Sequence, residues 1–436
     1  MPVCVKGAQM FSVKRKEVGP VIVIGGGAAG MMAAGRAAQL GAQVVLLEKN
    51  KTLGRKLAIT GKGRCNITNT GDISDFIRNY PGNGQFLYSS LSMFSNLEMQ
   101  KLLESLGVPL KIERGGRIFP ESDKAADVVE ALSGYLTQNG AEVYLEEDVT
   151  SLCRLENGIF EVETGRALRK AASVIVTTGG KSYPATGSTG DGYKWAQAFG
   201  HKIIPLLPAL VPLNIREEWV KSLQGLALKN VEVSIFNGDK LLCKEFGEML
   251  FTHFGVSGPV ILTLSRLVVK NKSAAQRLKL AINLKPSLLE DMLDKRLQRD
   301  FEKFQRKQLQ NSLDELLPKR LIACVISESG LEPEKPVHQI TKEERHRLLK
   351  ALTALTLTIE GPRSMAEAII TTGGISLKEV NPKTLESKLV KGLYFAGEIL
   401  DIDGYTGGYN LQAAFSTGYA AGEHAARQQQ ERGARQ

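Results

Sequence analysis

An uninterrupted apolar run, a glycine-rich turn and a run of small residues follow one another near the start of the chain. Residues 21–24 (VIVI) are apolar, residues 25–30 (GGGAAG) are small, and residues 31–40 (MMAAGRAAQL) are rich in alanine. A second apolar run, 43–47, ends in Glu48. Apolar runs bounded by glycine are typical of buried parallel strands, and alanine favours helix. The pattern predicts a strand–helix–strand unit.

The glycine spacing in this unit indicates a bound dinucleotide. Gly25 permits the tight turn, Gly27 lets a pyrophosphate approach the backbone, and Gly30 lets helix and strand pack closely. Unpaired N–H groups at the helix N-terminus favour an anion. Glu48 ends the second strand, where a carboxylate accepts from an adenosine ribose that has no 2′-phosphate. The alternative is a glycine turn without a ligand, and the motif alone does not separate FAD from NAD.

Further along the chain the pattern alternates between helix and strand. Amphipathic or apolar segments predict helices at 96–106 and 123–138 and strands at 141–144, 159–163, 172–177, 211–215, 231–236 and 241–246. The Asn237-Gly238 pair predicts a hairpin turn between the last two strands. These short strands indicate a small β-barrel or sandwich.

The C-terminal half begins with charged helical segments and returns to strands and glycine turns. Residues 286–350 are mostly helical in pattern, 393–398 predict a strand and turn, and 411–427 predict a closing helix. The simplest architecture is one nucleotide-binding domain built from both ends of the chain, with a long insertion between them.

Composition narrows the class of protein. The 436 residues are 43% hydrophobic and 23% charged, as in ordinary globular proteins. No apolar run has the length of a membrane span, and residues 1–17 do not resemble a signal peptide. The five scattered cysteines predict a cytoplasmic protein without disulfides or a metal site, and they argue against a flavin disulfide reductase.

The net charge of +10 has two interpretations. Residues 266–307 hold twelve basic and five acidic side chains. Such a cluster is either a set of solvated helix faces or a contact surface for a polyanion such as RNA. The candidate RNA contacts are Lys181, Arg216, Arg296, Arg299 and Lys303.

Two more glycine segments favour FAD over NAD. Thr178-Gly179-Gly180 follows one predicted strand, and Gly397-Glu398 follows another. An acidic side chain after a strand accepts from ribityl hydroxyls in large flavoproteins. Gly408-Tyr409-Asn410 then opens a helix, whose N-terminus would face the pyrimidine edge of the flavin and stabilise its anionic reduced form.

At this point the chain resembles the BaiN/RdsA-type flavoproteins, a family of bacterial FAD-dependent oxidoreductases. The resemblance spans nearly the whole chain and is weakest over 286–350. The segments that carry it are 54–57 (GRKL), 61–69 (GKGRCNITN), 179–184 (GGKSYP), 187–193 (GSTGDGY), 223–226 (LQGL), 251–259 (FTHFGVSGP), 372–375 (TGGI) and 397–412. One departure is Lys62, where the family more often has glycine.

The resemblance implies an α/β fold: a glutathione-reductase-like FAD-binding domain with an inserted β-barrel and a helical sub-domain. The expected segments are a loose N-terminal extension at 1–17, the FAD-binding domain at 18–201 and 369–427, the barrel at 202–285 and 346–368, the helical insert at 286–345, and a polar tail at 428–436.

The resemblance also implies an activity. Members have been assigned the reduction of a steroid-like enone in bile-acid metabolism and the NADH-dependent reduction of a uridine in large-subunit ribosomal RNA to dihydrouridine. Both reactions deliver a hydride to the β-carbon of an enone and a proton to its α-carbon. The chain has no second dinucleotide motif, so NADH or NADPH would dock transiently as hydride donor.

The glycine segments and the resemblance together give a set of expected FAD contacts. They are Gly25, Gly27, Ala28, Ala29, Gly30, Glu48, Lys49, Arg55, Lys56, Gly61, Gly63, Arg64, Cys65, Asn66, Val149, Thr178, Gly179, Gly180, Gly397, Glu398, Gly408, Tyr409, Asn410 and Leu411.

Two residues are candidates for the proton donor. Cys65 follows basic residues in the loop expected to line the flavin, and a thiol can protonate an enolate carbon. A packed, inert thiol is the alternative. His253 is the second candidate, with a structural hydrogen-bonded histidine as its alternative. Tyr405 and Tyr409 could stack on the substrate or simply pack.

Three functions remain open on sequence alone. The basic insert favours an FAD-dependent synthase of dihydrouridine in large-subunit ribosomal RNA. A small-molecule enone reductase and a non-catalytic FAD-stabilised binding protein are the alternatives. Oligomeric state is not predicted.

Overall fold

The structure, a computed structural model, describes residues 19–271 and 277–434. The predicted N-terminal extension at 1–17 lies outside the described residues.

Strands in the described ranges form one parallel sheet, a closed barrel and three small antiparallel sheets. They are β1 (Val21–Ile24), β2 (Val44–Glu48), β3 (Thr68–Asn69), β4 (Leu110–Glu113), β5 (Arg117–Pro120), β6 (Glu142–Leu145), β7 (Val149–Arg154), β8 (Phe160–Thr164), β9 (Leu168–Ala171), β10 (Ser173–Val176), β11 (Ile203–Ala209), β12 (Leu213–Ile215), β13 (Ala227–Asn237), β14 (Lys240–Thr252), β15 (Gly255–Ser257), β16 (Leu278–Asn283), β17 (Leu355–Pro362), β18 (Ile370–Ile375) and β19 (Leu393–Phe395).

Helices pack on the parallel sheet and beside the barrel. They are α1 (Ala28–Gln39), α2 (Arg55–Gly63), α3 (Ile73–Arg78), α4 (Tyr88–Met93), α5 (Asn96–Ser105), α6 (Ala125–Gln138), α7 (Asp191–Ala198), α8 (Trp219–Ser222), α9 (Pro259–Lys270), α10 (Glu290–Lys303), α11 (Lys319–Glu328), α12 (Lys342–Thr353) and α13 (Tyr409–Ala434).

The parallel sheet has the order β19-β10-β1-β2-β6 and joins both ends of the chain. All four strand pairs are parallel, with Val21 opposite Val44 on one side and Ser173 on the other. β1 and β10 are buried at every position, because helices cover both faces of such a sheet. The predicted strand–helix–strand unit is confirmed.

The inserted part of the chain forms a six-stranded closed barrel in the order β12-β15-β14-β13-β16-β17. The predicted Asn237-Gly238 hairpin is confirmed: Asn237 pairs with Lys240, and Gly238 has a φ of +59°. The strands alternate between core and solvent in their central parts, as in β16. The barrel and helices α9 to α12 share one hydrophobic core, separate from that of the parallel sheet.

These features confirm the predicted fold class, an α/β nucleotide-binding domain of Rossmann type with an inserted β-barrel and a helical part. Two details differ from the sequence expectation. The apolar helix α9 lies within the segment predicted as barrel strands, and α12 continues to Thr353, past residue 345. The domain boundaries themselves stay a prediction.

The insertion leaves and rejoins the nucleotide-binding domain at one place. β11 enters the insertion, β18 leaves it, and the two pair antiparallel outside the barrel. The half-buried Arg266 on α9 ion-pairs with the buried Asp403, and its guanidinium also donates to the carbonyl of Pro81. These contacts connect the helix beside the barrel with the nucleotide-binding domain.

The closing helix is longer than the predicted 411–427, because α13 continues through residues 428–434 of the segment expected as a polar tail. Gln429 is buried, donates to the carbonyl of Gly19 at 2.9 Å and accepts from the N–H of Gln43 at 3.1 Å. Arg432 donates to the carbonyl of Ala172 at 2.7 Å. The polar side chains of this segment therefore bind backbone groups next to the starts of β1, β2 and β10.

Candidate functional site

One cavity of about 370 Å³ lies where the parallel strands end. The ends of β1, β2, β10 and β19 contribute to its wall, together with the N-termini of α1 and α13. Ligands of open α/β sheets bind at the carboxyl ends of strands. The position is therefore that of a cofactor site.

The N-terminus of α1 opens onto the cavity without a capping side chain. Within the described ranges, the N–H groups of Ala28 and Ala29 have no acceptor on the protein. A Cβ on Gly27 would meet nothing within 4 Å. The helix end therefore offers free donors and open space, which suits a pyrophosphate.

Gly25 and Gly30 shape the tight turn between β1 and α1. Gly25 has a φ of +105°, which side-chain-bearing residues rarely adopt. A Cβ on Gly30 would lie 1.8 Å from the carbonyl oxygen of Gly25, so only glycine fits between helix and strand. Gly30 does not line the cavity.

Glu48 holds the glycine turn and still faces the cavity. Its Oε2 accepts from the N–H of Gly26 at 2.7 Å, and its Oε1 accepts from the N–H of Asn50 at 2.8 Å. Because a carboxylate oxygen has two acceptor positions, Oε2 keeps one for a ligand hydroxyl.

The N-terminus of α13 opens onto the same cavity through Asn410 and Leu411. Gly408 has a φ of +98°, and a Cβ there would lie 2.3 Å from the carbonyl oxygen of Thr68. The Asn410 amide holds the preceding turn: it donates to the carbonyl of Gly404 and accepts from the N–H of Gly404, both at 2.8 Å. Two helix N-termini thus direct positive potential into one cavity.

Glu398 is held by three protein donors. It accepts from Lys56 at 2.6 Å, from the hydroxyl of Ser182 at 3.0 Å and from the N–H of Thr371 at 2.8 Å. Lys56 Nζ also donates to Ser182 at 2.7 Å. The predicted acceptor for ribityl hydroxyls is therefore the centre of a fixed polar network at the cavity wall.

The structure brings most of the predicted FAD contacts to this cavity. Those that line it are Gly25, Gly27, Ala28, Ala29, Glu48, Lys49, Arg55, Lys56, Gly61, Asn66, Val149, Thr178, Gly179, Gly397, Glu398, Gly408, Asn410 and Leu411. Those that do not are Gly30, Gly63, Arg64, Cys65, Gly180 and Tyr409.

Cys65 is not positioned as a proton donor. Its side chain is fully buried in the hydrophobic core beside the cavity and does not line it. Burial raises the pKa of the Cys65 thiol to about 12, against a hydrogen bond with Thr60 that lowers it. The arrangement matches the packed, inert thiol.

Arg64 and Tyr409 also turn away from the cavity. The Arg64 guanidinium ion-pairs with Glu113 and, at 2.7 Å, with Asp123, and it stacks on the Phe119 ring. The Tyr409 ring packs edge-on against Phe76, with ring centroids 5.1 Å apart.

Gly180 packs against Thr371 and not at the cavity. A Cβ on Gly180 would lie 2.4 Å from the hydroxyl oxygen of Thr371.

His253 is exposed on the turn between β14 and β15 and does not line the cavity. Its ring contacts Phe254 at a centroid distance of 4.9 Å. The structure therefore does not bring His253 to the predicted site.

The candidate RNA contacts differ in their partners. Lys181, Arg216 and Arg299 are exposed and have no carboxylate partner within the described residues. Arg296 ion-pairs with Asp300 on the same helix, and Lys303 ion-pairs with Glu315 beyond it, both at 2.7 Å. The acidic residues thus neutralise part of the predicted basic cluster.

Several cavity residues were missed by sequence reasoning. Leu210, Ile369 and Ile370 contribute an apolar wall from the segments that enter and leave the insertion. The sequence around these residues contains no motif that predicts ligand contact. Their position in the chain could have indicated it, because both ends of the insertion return to the edge of the sheet where the cofactor motif lies.

Two kinds of feature are absent from the part of the chain that the structure describes. No helix there is long and apolar enough to cross a membrane. No three His, Cys, Asp or Glu side chains in the same ranges lie close enough to hold a metal ion.

Comparison with known proteins places the chain among flavoenzyme-like folds. Residues 19–424 match the family described as HI0933-like protein Rossmann domain. A 3-dehydro-bile acid delta(4,6)-reductase of Clostridium scindens is 34% identical over 407 residues, 93% of this chain and 98% of that protein. A ribosomal RNA dihydrouridine synthase of Haemophilus influenzae is 31% identical over 413 residues, with coverage of 93% and 98%.

Among solved structures, a 3-ketosteroid-delta4-(5alpha)-dehydrogenase from Rhodococcus jostii has a TM-score of 0.52. It is 15% identical, and the match covers 95% of this chain and 98% of that one. At this identity the likeness concerns the fold alone.

Proposed function

Because the chain belongs to the HI0933-like protein family, we propose that it is an FAD-dependent oxidoreductase that reduces a carbon–carbon double bond conjugated to a carbonyl group. The two relatives are named for a delta(4,6)-reduction and for the formation of dihydrouridine. Each of these reactions adds two hydrogens to such a double bond.

The observation that supports FAD binding is one cavity onto which two helix N-termini open, that of α1 without a capping side chain, with a carboxylate at the end of β2. The N–H groups of Ala28 and Ala29 would bind the pyrophosphate, and Glu48 would accept from the adenosine ribose. When bound, FAD supplies hydride transfer, with NADH or NADPH proposed as the transient donor.

The chain's own residues orient the reacting partners and exclude water. Lys56 and Ser182 fix the Glu398 carboxylate, which would receive hydroxyl groups of the cofactor. The α13 N-terminus adds positive potential where negative charge would develop. Leu210, Ile369 and Ile370 provide a dry wall for a flat substrate.

We propose a uridine of large-subunit ribosomal RNA as the substrate, reduced to dihydrouridine in the cytoplasm. A relative 31% identical over 93% of the chain is named for that activity. The net charge of +10 suits a polyanion, as do Lys181, Arg216 and Arg299, which are exposed and have no carboxylate partner among residues 19–271 and 277–434.

A steroid-like enone is the second candidate substrate. The apolar wall of Leu210, Ile369 and Ile370 would accept such a ring system, and the relative named as a bile acid reductase is 34% identical. Both relatives are named for enzyme activities, which does not favour the third interpretation, a non-catalytic binding protein.

One experiment separates the candidates. Dihydrouridine in large-subunit ribosomal RNA is measured in a strain that lacks the gene, with and without complementation. In parallel, the purified FAD-loaded protein is given NADH and a 3-keto steroid with 4,6-double bonds. Loss and rescue of dihydrouridine is the expected result. Unchanged RNA with steroid reduction would replace the RNA proposal by the second candidate, and neither activity would contradict both.

A further inference from the structure

We propose that Tyr405 is the catalytic residue that delivers the proton in the reduction. The inference rests on the proposed function and names the group that completes it. A reduction of this kind needs one proton at the α-carbon of the enone, so the cavity must hold one acid.

Tyr405 lies at the cavity on the turn between β19 and α13. Its side chain is half-buried, and within the described residues its hydroxyl has no hydrogen-bond partner. The apolar side chains of Leu210, Ile370 and Ile402 line the same cavity. A phenol at such a wall is free to donate to a bound ligand.

The backbone of Tyr405 is held from two sides. Its N–H donates to the carbonyl of Asn79 at 3.0 Å, and its carbonyl accepts from the Asn410 amide at 3.2 Å. Asn410 also holds the adjacent Gly404. Because the side chain extends from a fixed turn, little ordering is required for it to meet a substrate.

Both lysines at the cavity are engaged in ion pairs. Lys49 pairs with Asp191 at 3.0 Å, and Lys56 with Glu398 at 2.6 Å. The donors predicted from the sequence, Cys65 and His253, do not line the cavity. Tyr405 contributes a phenol to the cavity lining, and its proton is donated to no group within the described residues.

The surroundings keep the phenol protonated at neutral pH. Burial raises the pKa of Tyr405, and the charged groups around it act in both directions. Arg266 on α9 lowers it, whereas Glu245 and Cys243 on β14 and Asp403 on the preceding turn raise it. The net direction of the pKa is upward, so the phenol carries its proton at neutral pH.

The hydride for the β-carbon would come from the reduced cofactor of the proposed function. The π electron pair of the double bond forms a C–H bond at the α-carbon with the proton of Tyr405, whose O–H bond breaks. The resulting tyrosinate takes a proton from water at the cavity mouth.

The test is Tyr405→Phe in the FAD-loaded protein, with Tyr88→Phe on α4, which is exposed, as the matched control. FAD content, thermal stability and the rate of cofactor reduction by NADH are expected to stay at wild-type values. Substrate reduction is expected to fall by about 10²–10⁴-fold. It is measured on ribosomal RNA from the deletion strain and on the 3-keto steroid.

Two further readouts separate a proton donor from a structural role. Substrate reduction by the wild-type protein should fall as pH rises through the raised pKa of Tyr405, and the variant should lose that decline. An ultraviolet difference titration of wild type minus variant should show one tyrosine that ionises above the ordinary range. Substrate reduction at the wild-type rate by Tyr405→Phe, or an equal loss of cofactor reduction, would overturn the proposal. Inactivity of the wild-type protein on both substrates would instead overturn the proposed function.

Discussion

Cys65 and Asn66 are adjacent in the chain but lie in different environments. Asn66 lines the cavity, whereas Cys65 is fully buried in the core. The backbone explains the difference: Cys65 has a φ of +61°, and its N–H donates to the carbonyl of Thr60 at 3.0 Å. The thiol was predicted as an acid from its residue type alone. The left-handed backbone conformation of Cys65 directs its side chain into the core instead of the cavity.

At the scale of the residue, the burial of Cys65 predicts that its thiol reacts slowly with alkylating reagents. Because the pKa of Cys65 is raised to about 12 and the side chain is fully buried, it should resist alkylation by iodoacetamide at pH 8 in the folded protein. Cys153, which is exposed, should react and serves as the internal control. Peptide mass spectrometry measures both sites. Alkylation of Cys65 as fast as of Cys153 would show that the loop opens in solution.

At the scale of the element, two glycines at the start of α1 have different roles, one in ligand binding and one in packing. Gly27 and Gly30 belong to the same motif, yet a Cβ meets nothing at Gly27 and overlaps the backbone at Gly30. The first glycine therefore keeps space for a ligand, and the second keeps helix and strand together.

This difference predicts opposite outcomes for two alanine variants. Gly27→Ala should change the free energy of unfolding of the apoprotein by less than about 1 kcal/mol but weaken FAD binding at least tenfold. Gly30→Ala should destabilise the apoprotein by about 1–3 kcal/mol, because the added methyl group forces the helix away. Denaturant unfolding and FAD titration measure the two effects. Equal stability of both variants would contradict this account.

At the scale of the whole molecule, folding redistributes charge that the sequence shows as a cluster. Three basic residues of 266–307 are paired with carboxylates: Arg266 with Asp403, Arg296 with Asp300, and Lys303 with Glu315. Arg299 and Arg306 are exposed and have no carboxylate partner in the described ranges. The surface available to a polyanion is therefore smaller than the sequence window indicates.

The proposed RNA contact predicts a salt-dependent effect. Arg299→Glu combined with Arg306→Glu should weaken binding of large-subunit ribosomal RNA and lower the slope of log affinity against log salt by about 2. Lys101→Glu with Lys391→Glu, exposed positions on the sheet side, is the matched control. Filter binding across salt concentrations measures it, with FAD content as a check on folding. An unchanged affinity and slope would remove α10 from the RNA surface.

Local patterns were sufficient for much of the architecture. The runs around Gly25, the hairpin at Asn237-Gly238 and the helix that follows Gly408 depend on neighbours in the chain, so the sequence by itself determined them. The same holds for most of the cavity-lining glycines, because glycine adopts a positive φ at a lower steric cost than other residues.

Contacts between distant segments were decided only by the tertiary structure. Glu398 is held by Lys56 and Ser182, which lie hundreds of residues away in the chain, and Gln429 binds the backbone of Gly19. Such pairings depend on how the ends of the chain return to one sheet, and spacing along the sequence does not encode that. The glycine motif at residues 25–30 depends only on neighbouring residues, so the sequence by itself identified it. Only the tertiary structure places Tyr405 at the cavity and Cys65 in the core behind the cavity wall.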